Sequence, residues 1–287
     1  MTAPAARRAR IPEGTAIVVR DEHQLQIGTD PERSLLVDLP PTLDAREVCR
    51  ALRSLDDPAQ GPRLRRQLCA AGLSSPDLDR IVARLRGLRT ESPPRPALRV
   101  CLHGAGPLNT GLAAALAEAG HPVVRSKARR ARPWQIGPPR PTLVVLTDFT
   151  HPDPLVVADL MRHGVPHLPV FLREGVGVVG PLVLPGRSSC LRCADHHRTV
   201  LDPLWPVVCA QLVNRPGYAG DAITRLTVGT ALEQIEQINL GIGPDGGGRT
   251  PRPDLVDTTL EIHPRPVRLR RKDWSVHPDC GCGARWT

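Results

Sequence analysis

Residues 97–109 read Ala97-Leu98-Arg99-Val100-Cys101-Leu102-His103-Gly104-Ala105-Gly106-Pro107-Leu108-Asn109, and an Ala/Leu-rich stretch continues to Gly120. The first six residues form a compact apolar strand. Gly104-Ala105-Gly106 is a glycine turn, and residues 109–120 carry Leu112, Leu116 and Ala119 on one helical face. Strand, glycine turn and helix in that order match the placement of a nucleotide-binding turn, where backbone amides and a helix N-terminus hold phosphate. The downstream chain keeps the alternation. Pro122-Val123-Val124 begins a strand. Thr142–Leu146 is apolar throughout, as expected of a strand covered on both faces of a parallel sheet. Residues 154–164 form a helix and 166–172 a further strand. The pattern predicts a doubly wound α/β domain over residues 97–287.

Working upstream, Thr90–Pro96 has the composition of a linker. Before it lie three short strand candidates, at 17–19, 25–28 and 34–39. Three helical stretches follow, at 43–55, 62–71 and 75–87. Asp44 with Glu47 forms a capping-box pattern for the first helix, and Ser75 or Asp77 is the expected cap of the third. Three strands and three helices over about 80 residues suggest a small winged-helix-like α+β domain. The predicted organisation is a disordered 1–12, a winged-helix-like domain at 13–90, a linker at 91–96 and an α/β domain at 97–287.

Working downstream, residues 175–184 read as a Gly/Val hairpin and 199–213 as a helix interrupted at Pro203 and Pro206. The stretch 219–240 is the longest helix candidate. Late strands are expected at 255–263 and 266–269.

The strongest chemical signal is Cys190-x2-Cys193 paired with Cys280-x-Cys282. Tetrahedral Zn2+ takes four soft ligands, and two cysteine knuckles supply them. Such a closed site leaves no position for substrate, so it is read as structural, tying the C-terminal tail to the middle of the domain. Four ordinary thiols and a redox role are the competing readings. His277 and the His196-His197 pair are read as surface residues, and Cys49, Cys69, Cys101 and Cys209 as small buried apolar residues.

The glycine turn matches a nucleotide fingerprint only in part. Pro107 removes one amide donor. Gly111 follows Gly106 by five residues, not three. Val124-Arg125-Ser126 occupies the place, about 20 residues on, where a ribose-binding acid belongs. A turn with purely structural glycines is the favoured alternative. The Arg-rich runs 125–132 and 265–272 are read as solvated basic loops, with an acidic partner or RNA as the rival.

Composition narrows the classes. The chain has 287 residues, 40% hydrophobic, with 38 basic and 29 acidic residues and a formal charge of +9. Lys127 and Lys272 are its two lysines, so the basic excess is almost entirely arginine. Only 2% of residues are aromatic, which argues against stacking platforms for single-stranded nucleic acid. No stretch approaches the roughly 20 apolar residues that span a bilayer. Met1–Arg10 is basic without an apolar segment behind it, so a signal peptide is not expected and the expected location is cytoplasmic.

The succession of glycine turn, buried strand ending Leu146-Thr147-Asp148, helix, strand, Gly/Val hairpin, Cys-x2-Cys and late cysteine pair resembles the ThiF/MoeB adenylyltransferases, relatives of ubiquitin-activating enzymes. The stretch Pro185–Thr199 with Asp202-Pro203-Leu204-Trp205-Pro206, together with His277-Pro-Asp-Cys280-Gly-Cys282, is most similar to their cyclodehydratase-associated branch, which serves azoline-forming (thiazole/oxazole-modified, bacteriocin-type) peptide biosynthesis. The resemblance implies a Rossmann-like fold and a structural zinc on Cys190, Cys193, Cys280 and Cys282. It implies a nucleotide site at Gly104, Gly106 and Asp148, although Phe149 replaces the family's usual Asn and residues 125–140 lack its loop over ATP. It implies that the N-terminal domain recognises a leader peptide. The peptide would add to the edge formed by Leu35, Leu36 and Val37, beside a groove of Val48, Leu52, Leu78 and Val82. The expected function is a non-catalytic scaffold presenting a ribosomal precursor to a YcaO-type ATP-dependent cyclodehydratase. The alternatives are an active adenylyltransferase using ATP, or a zinc-stabilised regulatory or nucleic-acid-associated protein. A homodimer, common among relatives, is a further expectation.

Overall fold

A computed structural model of the protein describes residues 16–32, 34–54, 61–87, 98–126, 141–241 and 252–284. The chain separates into two units, residues 1–95 and 96–287.

In the first unit β1 (Ile17–Asp21), β2 (Gln24–Ile27) and β3 (Leu35–Asp38) form an antiparallel sheet with β2 in the centre. Period-two alternation sends Ile17, Leu25, Ile27 and Val37 inward, while Val18 and Leu36 stay exposed. α1 (Ala45–Ser54), α2 (Gly61–Ala70) and α3 (Ser75–Gly87) follow. Asp44 caps α1 as expected, its carboxylate accepting the Glu47 N–H at 2.9 Å. The cap of α3 is Ser74, whose hydroxyl accepts the Asp77 N–H at 3.2 Å, one residue before Ser75 and three before Asp77, the two expected caps. Val48, Leu52 and Leu78 are each 0% exposed and join the sheet residues in the core of this unit. They therefore do not line an open groove, which corrects that expectation; the helices turn their apolar stripes onto the sheet to cover its inner face. The side chain of Val82 lies outside the described residues.

The second unit is built on a seven-stranded sheet. Its parallel part is β4 (Val100–His103), β5 (Val123–Ser126), β6 (Leu143–Thr147) and β7 (His167–Arg173), in the order β5-β4-β6-β7. β8 (Val176–Val179), β9 (Thr258–His263) and β10 (Arg268–Asp273) extend it antiparallel beyond β7. Every residue of β4 and β6 is buried, as expected of strands covered on both faces. α4 (Pro107–Glu118) and α8 (Asp221–Gly241) cover one face, and α5 (Pro154–Arg162) the other. The chain leaves β4 toward β5 and returns to its other side as β6. The carboxyl ends of β4 and β6 thus flank a topological switch point. The connection at 127–140, with most of the first Arg run, lies outside the described residues.

The segment read as one interrupted helix is two. α6 (Leu191–Leu201) begins directly after Cys190, and α7 (Trp205–Leu212) follows a break. Pro203 bars the helical conformation to the residue before it, so Asp202 is extended, with φ −139° and ψ 103°. The Asp202 carboxylate then accepts the Leu204 N–H at 3.0 Å and starts the next turn. The Gly/Val hairpin is β7–β8, shorter than 175–184 suggested, whereas β10 runs to Asp273, past the expected 269.

One core residue predicts a pH response. His167 on β7 is fully buried; its Nδ1 lies 3.0 Å from the Val165 carbonyl oxygen, and Nε2 has no partner among the described residues. Burial drives its pKa down to about 4. A histidine depressed in the folded state destabilises as pH falls below its ordinary value of about 6.5, where the unfolded chain takes up the proton first. Between pH 7 and 4 the second unit is expected to lose up to about 3 kcal/mol from this group. Urea unfolding at both pH values should show a flatter acid limb in His167→Leu; identical limbs would assign acid sensitivity elsewhere.

Candidate metal centre and glycine turn

Cys190 is the N-cap of α6 and Cys193 lies in its first turn, so helical spacing sets the two thiols on one side. A tight turn presents the other pair: the Cys280 N–H donates to His277 O at 3.0 Å and the Cys282 N–H to Cys280 O at 2.8 Å. The Sγ atoms of Cys190 lie 3.8 Å from Cys193 and 3.6 Å from Cys280, and Cys193 lies 3.8 Å from Cys282. All four lie within 4.8 Å of one another, and none is in a disulfide. Four sulfurs at about 2.3 Å from a central Zn2+ stand about 3.8 Å apart along each edge of the tetrahedron. The observed edges match, so the donor set fits zinc in geometry as well as in chemistry. Burial pushes the Cys190 thiol up strongly and the Cys280 thiol to about 11. Metal binding at these thiols would displace their protons.

The nearby histidines form a cluster instead of standing free on the surface. His196 stacks on His277 at 4.9 Å between ring centres, and His197 meets His277 edge-on at 5.0 Å. The other four cysteines are separate: Cys49 and Cys69 pack against the core of the first unit, Cys101 is within the sheet and Cys209 on α7.

The glycine turn brings Gly104, Gly106 and Asp148 together at the switch point. Asp148 follows β6 with φ 71°, a left-handed conformation that side chains with a Cβ seldom adopt. There its carboxylate turns into the start of α4. Oδ1 accepts the Leu108 N–H at 2.9 Å and Oδ2 the Asn109 N–H at 3.0 Å. A Cβ on Gly106 would lie 2.4 Å from Asp148 Oδ1, and one on Gly104 would lie 2.3 Å from the Thr147 carbonyl oxygen. The glycines are thus required by the approach of residues 147–148, apart from any ligand. The helix N-terminus that a phosphate would use is filled by the chain's own carboxylate. Burial pushes the Asp148 carboxyl above its usual range, against the two amides, Thr147 and Arg125. Arg125, at the end of β5, donates to Asn109 Oδ1 at 2.8 Å and so places a cation beside this turn.

Sequence reading passed over His151 and Asp195. A cleft of about 770 Å3, bordered by His151, Val157, Met161, Leu191, Asp195 and Cys282, runs between α5 and the first cysteine knuckle. His151 Nε2 lies 3.8 Å from Asp195 Oδ2, and Asp195 Oδ1 accepts from Arg198 and from Trp205 Nε1, both at 3.0 Å. The position of His151 just beyond a parallel strand's carboxyl end was the available signal. Nothing local pointed to Asp195.

In the first unit β3 is an outer strand. The Leu39 N–H donates inward to His23 O at 2.7 Å, so alternation turns the N–H of Leu36 and of Asp38 outward. Leu36 is 47% exposed. Among the described residues no helix is long and apolar enough to cross a membrane.

No family model and no curated protein sequence matches the chain. Solved structures do. A heterocyclase in complex with substrate and cofactor superposes with a TM-score of 0.63 at 14% identity, over 96% of this chain and 39% of its own. The heterocyclase TruD gives 0.63 at 17% identity, over 96% of this chain and 43% of its own. The microcin C7 biosynthetic enzyme MccB, in complex with N-formylated MccA, gives 0.58 at 9% identity over 96% and 99%. MccB from E. coli has also been solved with ATP. The chain spans about two fifths of the two heterocyclases and nearly all of MccB. At these identities the likeness shows the fold alone.

Proposed function

We propose that this protein is a non-catalytic scaffold that binds a ribosomal precursor through its leader segment and presents it to a YcaO-type ATP-dependent cyclodehydratase. The likeness to peptide-modifying proteins supports a peptide substrate, but MccB, solved with ATP and of matching length, keeps the adenylyltransferase reading alive. The observation that carries the choice is the Asp148 carboxylate seated on the amides of Leu108 and Asn109. A phosphate entering there must displace a buried carboxylate that closes the helix terminus. Pro107 lacks an amide, and Arg125 stands where an acid would hold ribose. In this reading the first unit is the winged-helix-like recognition domain, and the β3 edge receives the leader. Zinc on Cys190, Cys193, Cys280 and Cys282 holds the tail.

The test is nucleotide binding and exchange. Purified protein is expected to take up no ATP in calorimetry and to catalyse no pyrophosphate exchange with candidate peptides, while it stimulates a YcaO partner encoded nearby. Exchange that disappears in Asp148→Ala would establish the adenylyltransferase instead.

A further inference from the structure

The antiparallel extension of the larger sheet gathers positive charge that neither the cysteine cluster nor the β3 edge uses. β10 is the outermost of the seven strands. Its register sets Arg268 opposite His263, Arg270 opposite Glu261 and Lys272 opposite Thr259. Arg268, Arg270 and Lys272 therefore share one face, and Leu269, Arg271 and Asp273 take the other. Arg173, from the end of β7, reaches Glu261 on the first of these faces at 3.0 Å. α6 adds Arg198, whose guanidinium carbon lies 4.7 Å from the centre of the Trp274 ring; Lys272 Nζ lies 4.4 Å from the same ring.

The charges do not balance. Arg173 pairs with Glu261 and Arg198 with Asp195, each at 3.0 Å. Among the described residues no carboxylate is within ion-pair distance of Arg270 or Lys272. Lys272 is nonetheless half-buried. Its burial lowers its pKa, and Arg198, Arg173 and Arg270 lower it further against Glu261 alone. A half-buried cation crowded in this way, with two exposed arginines beside it on the strand, favours an anion. Cations on an outer strand also guard against edge-to-edge aggregation. That role needs only the β10 side chains, whereas Arg173 and Arg198, each held by its own carboxylate, add to the positive potential on the same face.

The shape of the patch selects the anion. Arg268, Arg270 and Lys272 repeat every ~7 Å along an edge that no other strand among the described residues pairs with, longer than a single small anion can neutralise. Side chains of an added strand repeat at the same spacing, and opposite charges facing across strands attract. Trp274 is buried, so the face offers no ring for base stacking. We propose that the outer edge and cationic face of β10 dock an extended acidic segment of a partner protein, which adds to the sheet with carboxylates at alternate positions facing Arg268, Arg270 and Lys272.

The full chain can be titrated, by fluorescence anisotropy, with a labelled peptide alternating Glu and Val. Binding is expected, weakening with salt. Arg270→Glu should reduce affinity by about tenfold or more, and Arg271→Glu, the same charge change on the opposite face of the strand, by less than about threefold. A peptide of equal charge with Pro in place of Val should not bind, because it cannot pair with the edge. Equal losses in the two variants, equal binding of the Pro peptide, no binding at low salt, or tighter binding of a single-stranded RNA of equal charge would each overturn the proposal. Should Arg270→Glu fail to fold by circular dichroism, Lys272→Gln carries the same expectation against Arg271→Gln.

Discussion

Cys190→Ser, or prolonged chelation, is expected to lower the melting temperature of the larger unit by roughly 10–20 °C. The argument is one of chain entropy. Cys190 and Cys280 are 90 residues apart in sequence with their sulfurs 3.6 Å apart. A link closing a loop of that length removes freedom from the unfolded chain worth about 4–5 kcal/mol, by analogy with a disulfide. In a unit of this size each kcal/mol shifts melting by about 2–4 °C. The metal-free thiols add a smaller penalty, since four sulfurs are left packed together without the ion that orders them. Metal analysis of purified protein should give about one zinc per chain. Occupancy should fall at acid pH, because each ligand must shed its proton to bind. A fully folded wild type with no metal would end this reading.

The second large effect concerns the smaller unit. Leu36→Pro is expected to weaken leader binding by about tenfold or more, while circular dichroism stays native. Pro removes the outward-facing N–H of an outer strand, which β2 does not use. Under the proposed function the expected affinity is about micromolar, since two or three apolar leader side chains would contribute roughly 1.5–3 kcal/mol each, reduced by the ordering of a disordered peptide. Leu52→Glu should behave differently. Leu52 is 0% exposed, so the charge enters the core and the unit is expected to unfold, with a loss above about 3 kcal/mol. Loss of binding in that variant therefore says nothing about the groove. If Leu36→Pro binds every nearby precursor as wild type does, and the full chain still stimulates its partner, recognition lies elsewhere.

The sequence by itself determined the α/β alternation of the second unit, the three strands and three helices of the first, and the two cysteine pairs. Each rests on local chemistry: apolar period, turn residues and caps act over a few neighbours, and β4 and β6 announce double burial in their own composition. Proline conformational preference is also legible there, and it marks the break at Pro203 that splits α6 from α7. Only the tertiary structure decided which face each apolar stripe turns. Val48, Leu52 and Leu78 have the same pattern whether they line a groove or fill a core, and the covering sheet makes them core. The same holds at the glycine turn. Gly104 and Gly106 suit a phosphate equally well on paper, but the return of the chain as β6 brings Asp148, some 40 residues on, to the amides of α4. Arg173, Arg198, Arg270 and Lys272 come from three separate elements, and their shared face exists because sheet register and the start of α6 at Cys190 place them there. Contacts of this kind depend on strand order and helix placement across the whole unit, which no local pattern encodes.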